Sequence, residues 1–183
     1  MANHAKHYPS RFFIRLGLFF LVGATLLSLQ RISPYRLSFA LEQLPEQTVQ
    51  SSIQPVELTI SSIRLDVPIT PTTIDNGIWH AKSDSAAYLA SSPIPGDTGN
   101  SIVYGHNWPN LLGDLPKVKP NDEISVKFSN GEKRTFIVEY TSVVTPDQTH
   151  ILFPSSDRRL TIYTCTGFLD TKRFVAVALL KEE

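Results

Sequence analysis

From Glu57 onward no stretch of this chain keeps the 3.6-residue apolar spacing of an amphipathic helix of ordinary length. Short runs, alternating or wholly apolar, are instead separated by turn signals: Glu57–Ser61, Ile63–Ile69, Gly77–His80, Ser101–Gly105, Asp122–Phe128, Arg134–Val144, Arg159–Cys165 and Arg173–Leu180. Ile124, Val126 and Phe128 alternate with Ser125 and Lys127, as a half-buried strand requires. Asn130-Gly131 then marks a hairpin, because both residues tolerate positive φ. Short helical turns are predicted around 83–90 and 108–115. Strands at this spacing make an all-β domain, a barrel or a sandwich, and periodicity alone does not choose between them. The 13 prolines and 9 glycines are spread along the chain as turn punctuation.

The N-terminal part is of another kind. Residues 12–29 read FFIRLGLFFLVGATLLSL, with no charge after Arg15. Such a segment, as a helix, reaches roughly 27 Å, about the hydrocarbon thickness of a bilayer. It is apolar all round, unlike a core helix with a polar stripe, and no small-x-small site follows it closely, as a cleaved signal peptide would have. The segment is therefore predicted to be an uncleaved transmembrane signal anchor. Lys6, Arg11 and Arg15 precede its uncharged part, Leu16–Leu29, and Arg31 and Arg36 follow, a bias that sets the N-terminus inside and the remaining chain on the extracytoplasmic side of the cell membrane, in a single pass. The predicted organisation is a cytoplasmic N-terminus over 1–11, the anchor over 12–29, a polar, Gln- and Pro-containing linker or stalk over 30–55, and a β-domain over 56–183.

Lys+Arg and Asp+Glu both number 17, which argues against nucleic-acid binding by electrostatics. The chain has one cysteine, Cys165, so no internal disulfide staples the fold. In an exported protein an unpaired thiol points to a reactive site or to an intermolecular bond. Along Arg159–Cys165, Leu160 and Ile162 face one side, and Thr161, Tyr163 and Cys165 the other. Cys165 thus ends a strand on the face away from the apolar pair, a position suited to an accessible thiol. The next strand begins at Arg173. If the two strands are antiparallel neighbours, the guanidinium lies beside the thiol, where it lowers the thiol pKa and can hold an oxyanion. Thiol acyl chemistry also needs a proton shuttle, for which histidine is suited near neutral pH. His4 and His7 precede the anchor, which leaves His80, His106 and His150. His106 closes the run Ser101–Gly105, and chemistry alone does not separate it from the other two.

Motifs do. Thr161-Ile162-Tyr163-Thr164-Cys165, followed by Arg173-Phe174-Val175-Ala176-Val177, resembles the nucleophile strand and the arginine strand of sortases. Upstream, Pro95-Gly96-Asp97-Thr98-Gly99-Asn100 and Val103-Tyr104-Gly105-His106 resemble the stretch that carries the sortase histidine. Leu58-Thr59-Ile60 through Val67-Pro68-Ile69 is similar to the first two strands of that family. The chain departs at Asn107, where arginine is frequent, and at Asn121-Asp122, where Gly-Asp is common.

The resemblance implies a closed eight-stranded β-barrel behind a transmembrane helix, and a cysteine transpeptidase with Cys165 as nucleophile, His106 as general acid/base and Arg173 stabilising oxyanion and substrate. It implies, as partners, exported proteins bearing a C-terminal LPxTG-like sorting signal, an acceptor amine from a peptidoglycan precursor or a pilin lysine, and the membrane, with no nucleic acid, metal or organic cofactor. A lid with an aromatic anchor, found in some pilin-polymerising members, is not evident in 30–55. Thr164 reads as shaping the cleft, Tyr163 and Trp108 as packing, and Asp157 and Asp170 as surface turn residues. Two rival readings are a different thiol enzyme, either an exported cysteine hydrolase or an L,D-transpeptidase-like cell-wall enzyme, and a membrane-tethered β-domain for binding or assembly with an inert Cys165.

Overall fold

A computed structural model describes residues 10–41 and 53–182. The predicted cytoplasmic residues 1–9 and the stalk residues 42–52 lie outside the described set. The chain divides into two units, Met1–Ser33 and Pro34–Glu183. In the first, α1 (Ser10–Ile32) carries a stretch, Arg11–Leu29, long and apolar enough to cross a membrane. Phe13, Leu18, Phe19 and Leu26 are all exposed along it.

Among the described residues the second unit has ten strands: β1 (Pro55–Ile60), β2 (Leu65–Thr72), β3 (Ile74–Asp75), β4 (Ile78–Trp79), β5 (Ala86–Leu89), β6 (Gly99–Gly105), β7 (Glu123–Phe128), β8 (Lys133–Val144), β9 (Arg158–Thr166) and β10 (Lys172–Leu180). Eight of them close a barrel in the order β1-β2-β5-β6-β9-β10-β8-β7, and β7 pairs back onto β1. Closure pairs each of these eight strands on both sides. The pairs β2/β5 and β6/β9 are parallel and the others antiparallel. The Asn130-Gly131 hairpin forms as predicted, with Gly131 at φ 88° and Lys127 opposite Lys133.

Two of the expected elements differ. Gly77–His80 contributes only β4, which pairs with β3 in a two-stranded ribbon outside the barrel. The third barrel strand is β5, from the segment read as a helical turn. Its four residues are all buried because both faces of β5 are covered, so it carries no alternation to read. Ala86 and Tyr88 face the barrel interior, while Ala87 and Leu89 join the outer cluster. The other predicted turn lies a little later, as a 3-10 turn over Leu112–Lys117. Asn121, where glycine is common in sortases, stands at φ 74°, a left-handed conformation that asparagine tolerates.

The barrel is filled by alternate residues of its strands, among them Leu58, Val67, Val103, Val126, Phe136, Ile162 and Ala176. A second apolar layer lies outside β5, β6, β9 and β10 and contains Ile102, Tyr104, Tyr163, Cys165, Val175 and Val177. What covers that outer layer positions the site.

Candidate active site

Parallel pairing of β6 with β9 sets Gly105 opposite Thr164, so His106 and Cys165 follow at the same level at one end of the barrel. Antiparallel pairing of β9 with β10 sets Arg173 directly opposite Cys165. The three residues singled out from the sequence thus stand at one rim, while the two other candidate histidines do not extend β6. Thr164 fastens this rim by donating its hydroxyl to the Gly105 carbonyl at 2.8 Å. Asn100, from the glycine-rich stretch, is buried and ties the β8–β9 connection down. Its amide donates to the carbonyls of Ile151 at 3.0 Å and Phe153 at 3.2 Å, and its oxygen accepts from Thr161 at 2.7 Å.

The thiol is not accessible in this arrangement. Cys165 is 1% exposed, and its Sγ donates to the backbone carbonyl of Arg36 at 2.9 Å. The cover is residues 34–41, part of the segment read as stalk. They begin with a 3-10 turn over Pro34–Leu37 and lie across the outer layer as a strap. Leu37 and Phe39 are buried in that layer. Phe39 meets Tyr163 edge-on at 4.9 Å and Trp79 at 6.0 Å, while Tyr104 and Tyr163 stack at 5.2 Å. Backbone groups fix the register of the strap: Tyr163 Oη donates to the Leu37 carbonyl at 3.0 Å, and the Ala40 N–H to the Pro146 carbonyl at 2.9 Å. The sequence hides the strap because Leu37-Ser38-Phe39-Ala40-Leu41 is a short apolar run in an otherwise polar, Gln- and Pro-containing segment, with no period to mark it as part of the fold.

Arg173 is 3% exposed. Its Nη1 donates to the carbonyls of Asp170 and Lys172 at 2.9 and 3.0 Å, and its Nη2 to that of Ser38 at 2.9 Å. Its Nε is buried with no hydrogen-bond partner among the described residues. Asp170, read as a surface turn residue, belongs to the site. Its Oδ1 accepts from Asn107 at 2.8 Å, and its Oδ2 pairs with Arg36. Arg36 also reaches the Asn107 side-chain oxygen at 2.8 Å. Leu169 and Asp170 both hold positive φ, 54° and 59°, a strained pair in the turn between Cys165 and Arg173. Asp157 lies elsewhere, paired with Arg159 at 2.7 Å.

Burial pushes the Cys165 thiol up to about 11, and Arg173 offsets part of that rise. Burial holds the His106 imidazole below its ordinary value, assisted by Arg36 and opposed by Asp170. Arg36 and Asp170 therefore act on both groups, and in this closed form thiol and imidazole are neutral together near pH 7. Among the described residues no three His, Cys, Asp or Glu side chains gather as metal ligands.

The sequence matches the family model of the sortase domain over residues 58–181. The chain belongs to the sortase family. Sortases are cysteine transpeptidases, and the closed barrel is their fold. Sortase A from Corynebacterium diphtheriae is similar at 21% identity, covering 87% of this chain and 84% of that one, with a TM-score of 0.62. The lid mutant of Streptococcus agalactiae sortase C1 is similar at 19% identity over 97% and 93% of the two chains, with a TM-score of 0.62. Listeria monocytogenes sortase A is similar at 23% over 70% and 88%, with a TM-score of 0.57. Comparison with curated proteins gives no match. This sortase thus shares its fold with neighbours named both A and C1.

Proposed function

We propose that this sortase cleaves an LPxTG-like sorting signal on exported proteins and transfers the acyl group to an amine, with Cys165, His106 and Arg173 as its working groups. The observation that carries the reading is the register of β6, β9 and β10, which puts a thiol, an imidazole and a guanidinium at one rim of one barrel. Cys165 thiolate attacks the Thr–Gly carbonyl. Arg173 donates to the oxyanion, and its unpartnered Nε and the Nη2 now on Ser38 are the donors within reach of such a role. His106 as imidazolium protonates the departing amine, leaving a thioacyl-enzyme. An incoming amine, from a peptidoglycan precursor or a pilin lysine, loses a proton to His106 and takes the acyl group.

The strap has to leave before this chemistry begins, because the Arg36 carbonyl holds the thiol proton and the Ser38 carbonyl holds Arg173. Its displacement also removes the Arg36 charge and opens Cys165 and His106 to water. The apolar helix α1 supports an extracytoplasmic catalytic unit anchored by a single span, where exported substrates emerge.

The test is the full chain in lipid vesicles, incubated with a panel of LPxTG-type peptides and a small amine, with Cys165→Ala as control. An acyl–amine product absent from the control supports the reading. Cleavage of none of the peptides, with thiol chemistry on peptidoglycan stem peptides instead, overturns it.

A further inference from the structure

The imidazole of His106 has an unusual setting for a group that must give up a proton in one step and take one back in the next. Its Nδ1 is buried and without a hydrogen-bond partner among the described residues. The adjacent amide of Asn107 is committed to Asp170 and Arg36, and both oxygens of Asp170 are taken by those same two residues. Among the described residues, therefore, no carboxylate, amide or carbonyl fixes the plane of the ring. One contact does: the Trp108 indole lies over it, 4.3 Å between centroids and 11° from parallel.

The backbone around Trp108 is built to hold that stack. Its carbonyl accepts from the N–H groups of Leu111 at 3.0 Å and Gly113 at 2.9 Å, while the His106 carbonyl accepts from Leu112 at 3.1 Å. Both rings thus rise from one small hydrogen-bonded loop pinned by the fully buried Leu112. The approach of Gly113 is so close that a Cβ there would stand 2.6 Å from the Trp108 carbonyl oxygen.

We propose that Trp108 is a positioning residue of the reaction: its indole face sets the plane of the His106 imidazole and favours the imidazolium over the neutral ring. The inference rests on the reading of His106 as the acid and base of acyl transfer. An indole face is the most favourable aromatic partner for a cation, and more so where water is excluded. The other charged groups that face His106 are Arg36 from the strap and Asp170 from the β9–β10 turn, with Cys165 beside it on the adjacent strand. When the strap lifts, Arg36 leaves and the indole remains.

The experiment uses the full chain in detergent micelles, as wild type, Trp108→Phe and Trp108→Leu, with 13C-labelled histidine and His106→Gln to assign the signal. In W108L the His106 ring protons move downfield as the ring current disappears, and their titration midpoint moves to lower pH. W108F shows smaller changes in the same directions. With an LPxTG-type peptide and an amine, W108L loses roughly ten- to hundred-fold in kcat with little change in KM, and W108F retains most of the rate. The acid limb of kcat/KM, set by His106, moves to lower pH in step with the NMR titration. Unchanged His106 shifts and midpoint in folded W108L overturn the proposal, as does a loss confined to KM. If W108L does not fold, W108F decides: no displacement of its titration overturns the proposal. The NMR result stands even if wild type turns over none of the peptides, an outcome that refutes the proposed substrate and leaves the stack tested.

Discussion

A thiol buried under a carbonyl acceptor ionises late. Cys165 is held up to about 11 by burial, although Arg173 stands opposite it on the next strand. Folding therefore favours the neutral thiol. That contribution to stability is intact below the ordinary value of 9.0 and is lost as pH rises towards 11, because there the unfolded chain releases a proton the folded one retains. Alkylation of Cys165 in the wild-type protein should accordingly rise about tenfold per pH unit from pH 7 to 10 without levelling, since the thiolate is the reactive form. A plateau near pH 8, read from iodoacetamide kinetics, would mean a thiol poised for attack in the resting state. Arg173 carries a second burden, because its planar fork serves three backbone carbonyls on two segments. Lysine offers one ammonium and cannot span them. Arg173→Lys should cost about 1–3 kcal/mol in urea unfolding and lower kcat/KM by at least about a hundredfold. Normal activity in R173K would remove Arg173 from the chemistry.

At the scale of elements, the strap of residues 34–41 governs access to the thiol. It is held by Phe39 and Leu37 in the outer layer, by hydrogen bonds of its backbone to Cys165, Tyr163, Arg173 and Pro146, by the Trp79 N–H donating to the Ser38 hydroxyl, and by the Arg36 side chain on Asp170 and Asn107. Removing the ring of Phe39 forfeits its contacts with Tyr163 and Trp79, a change of about 3 kcal/mol for a buried phenylalanine. Because the strap is a short segment laid on a closed barrel, the loss should appear as local opening rather than global unfolding. Phe39→Ala is expected to raise the alkylation rate of Cys165 more than tenfold at pH 7.5. The far-ultraviolet dichroism of the barrel should stay unchanged. Equal alkylation rates in F39A and wild type would mean that the strap does not guard the thiol. The strap also marks where sequence reading fails. Strands with one solvated face, such as β7, were legible from their alternation, and Arg173 beside Cys165 followed from the short span between two antiparallel strands. Strand β5 was not, because a strand buried on both faces shows no period. Asp170 and Arg36 were not, because a turn residue and a stalk residue meet only through tertiary folding. His106 was fixed by its motif rather than by any physical distinction from His80 or His150.

The whole catalytic unit has two apolar layers with different dependence on the N-terminal segment. The interior of the barrel is filled by its own strands, by Ile94 of the β5–β6 connection and by the 108–118 connection, and none of its buried residues comes from the strap. The outer layer is completed by Leu37 and Phe39, which cover Trp79, Tyr104 and Tyr163. A fragment beginning at residue 53 should therefore fold as a barrel and expose an aromatic face of the kind that binds hydrophobic dyes, whereas one beginning at residue 34 should not. The shorter fragment should bind 8-anilinonaphthalene sulfonate, alkylate faster at Cys165 and still melt cooperatively. The longer one should differ in all but the last. If the shorter fragment does not melt cooperatively, the outer layer is a condition of barrel folding. If it folds yet binds no dye, the aromatic face collapses on itself without the strap. Cooperative melting together with dye binding and fast alkylation would place the strap outside the fold and inside its regulation, since a self-sufficient barrel does not need for stability the residues that cover its thiol.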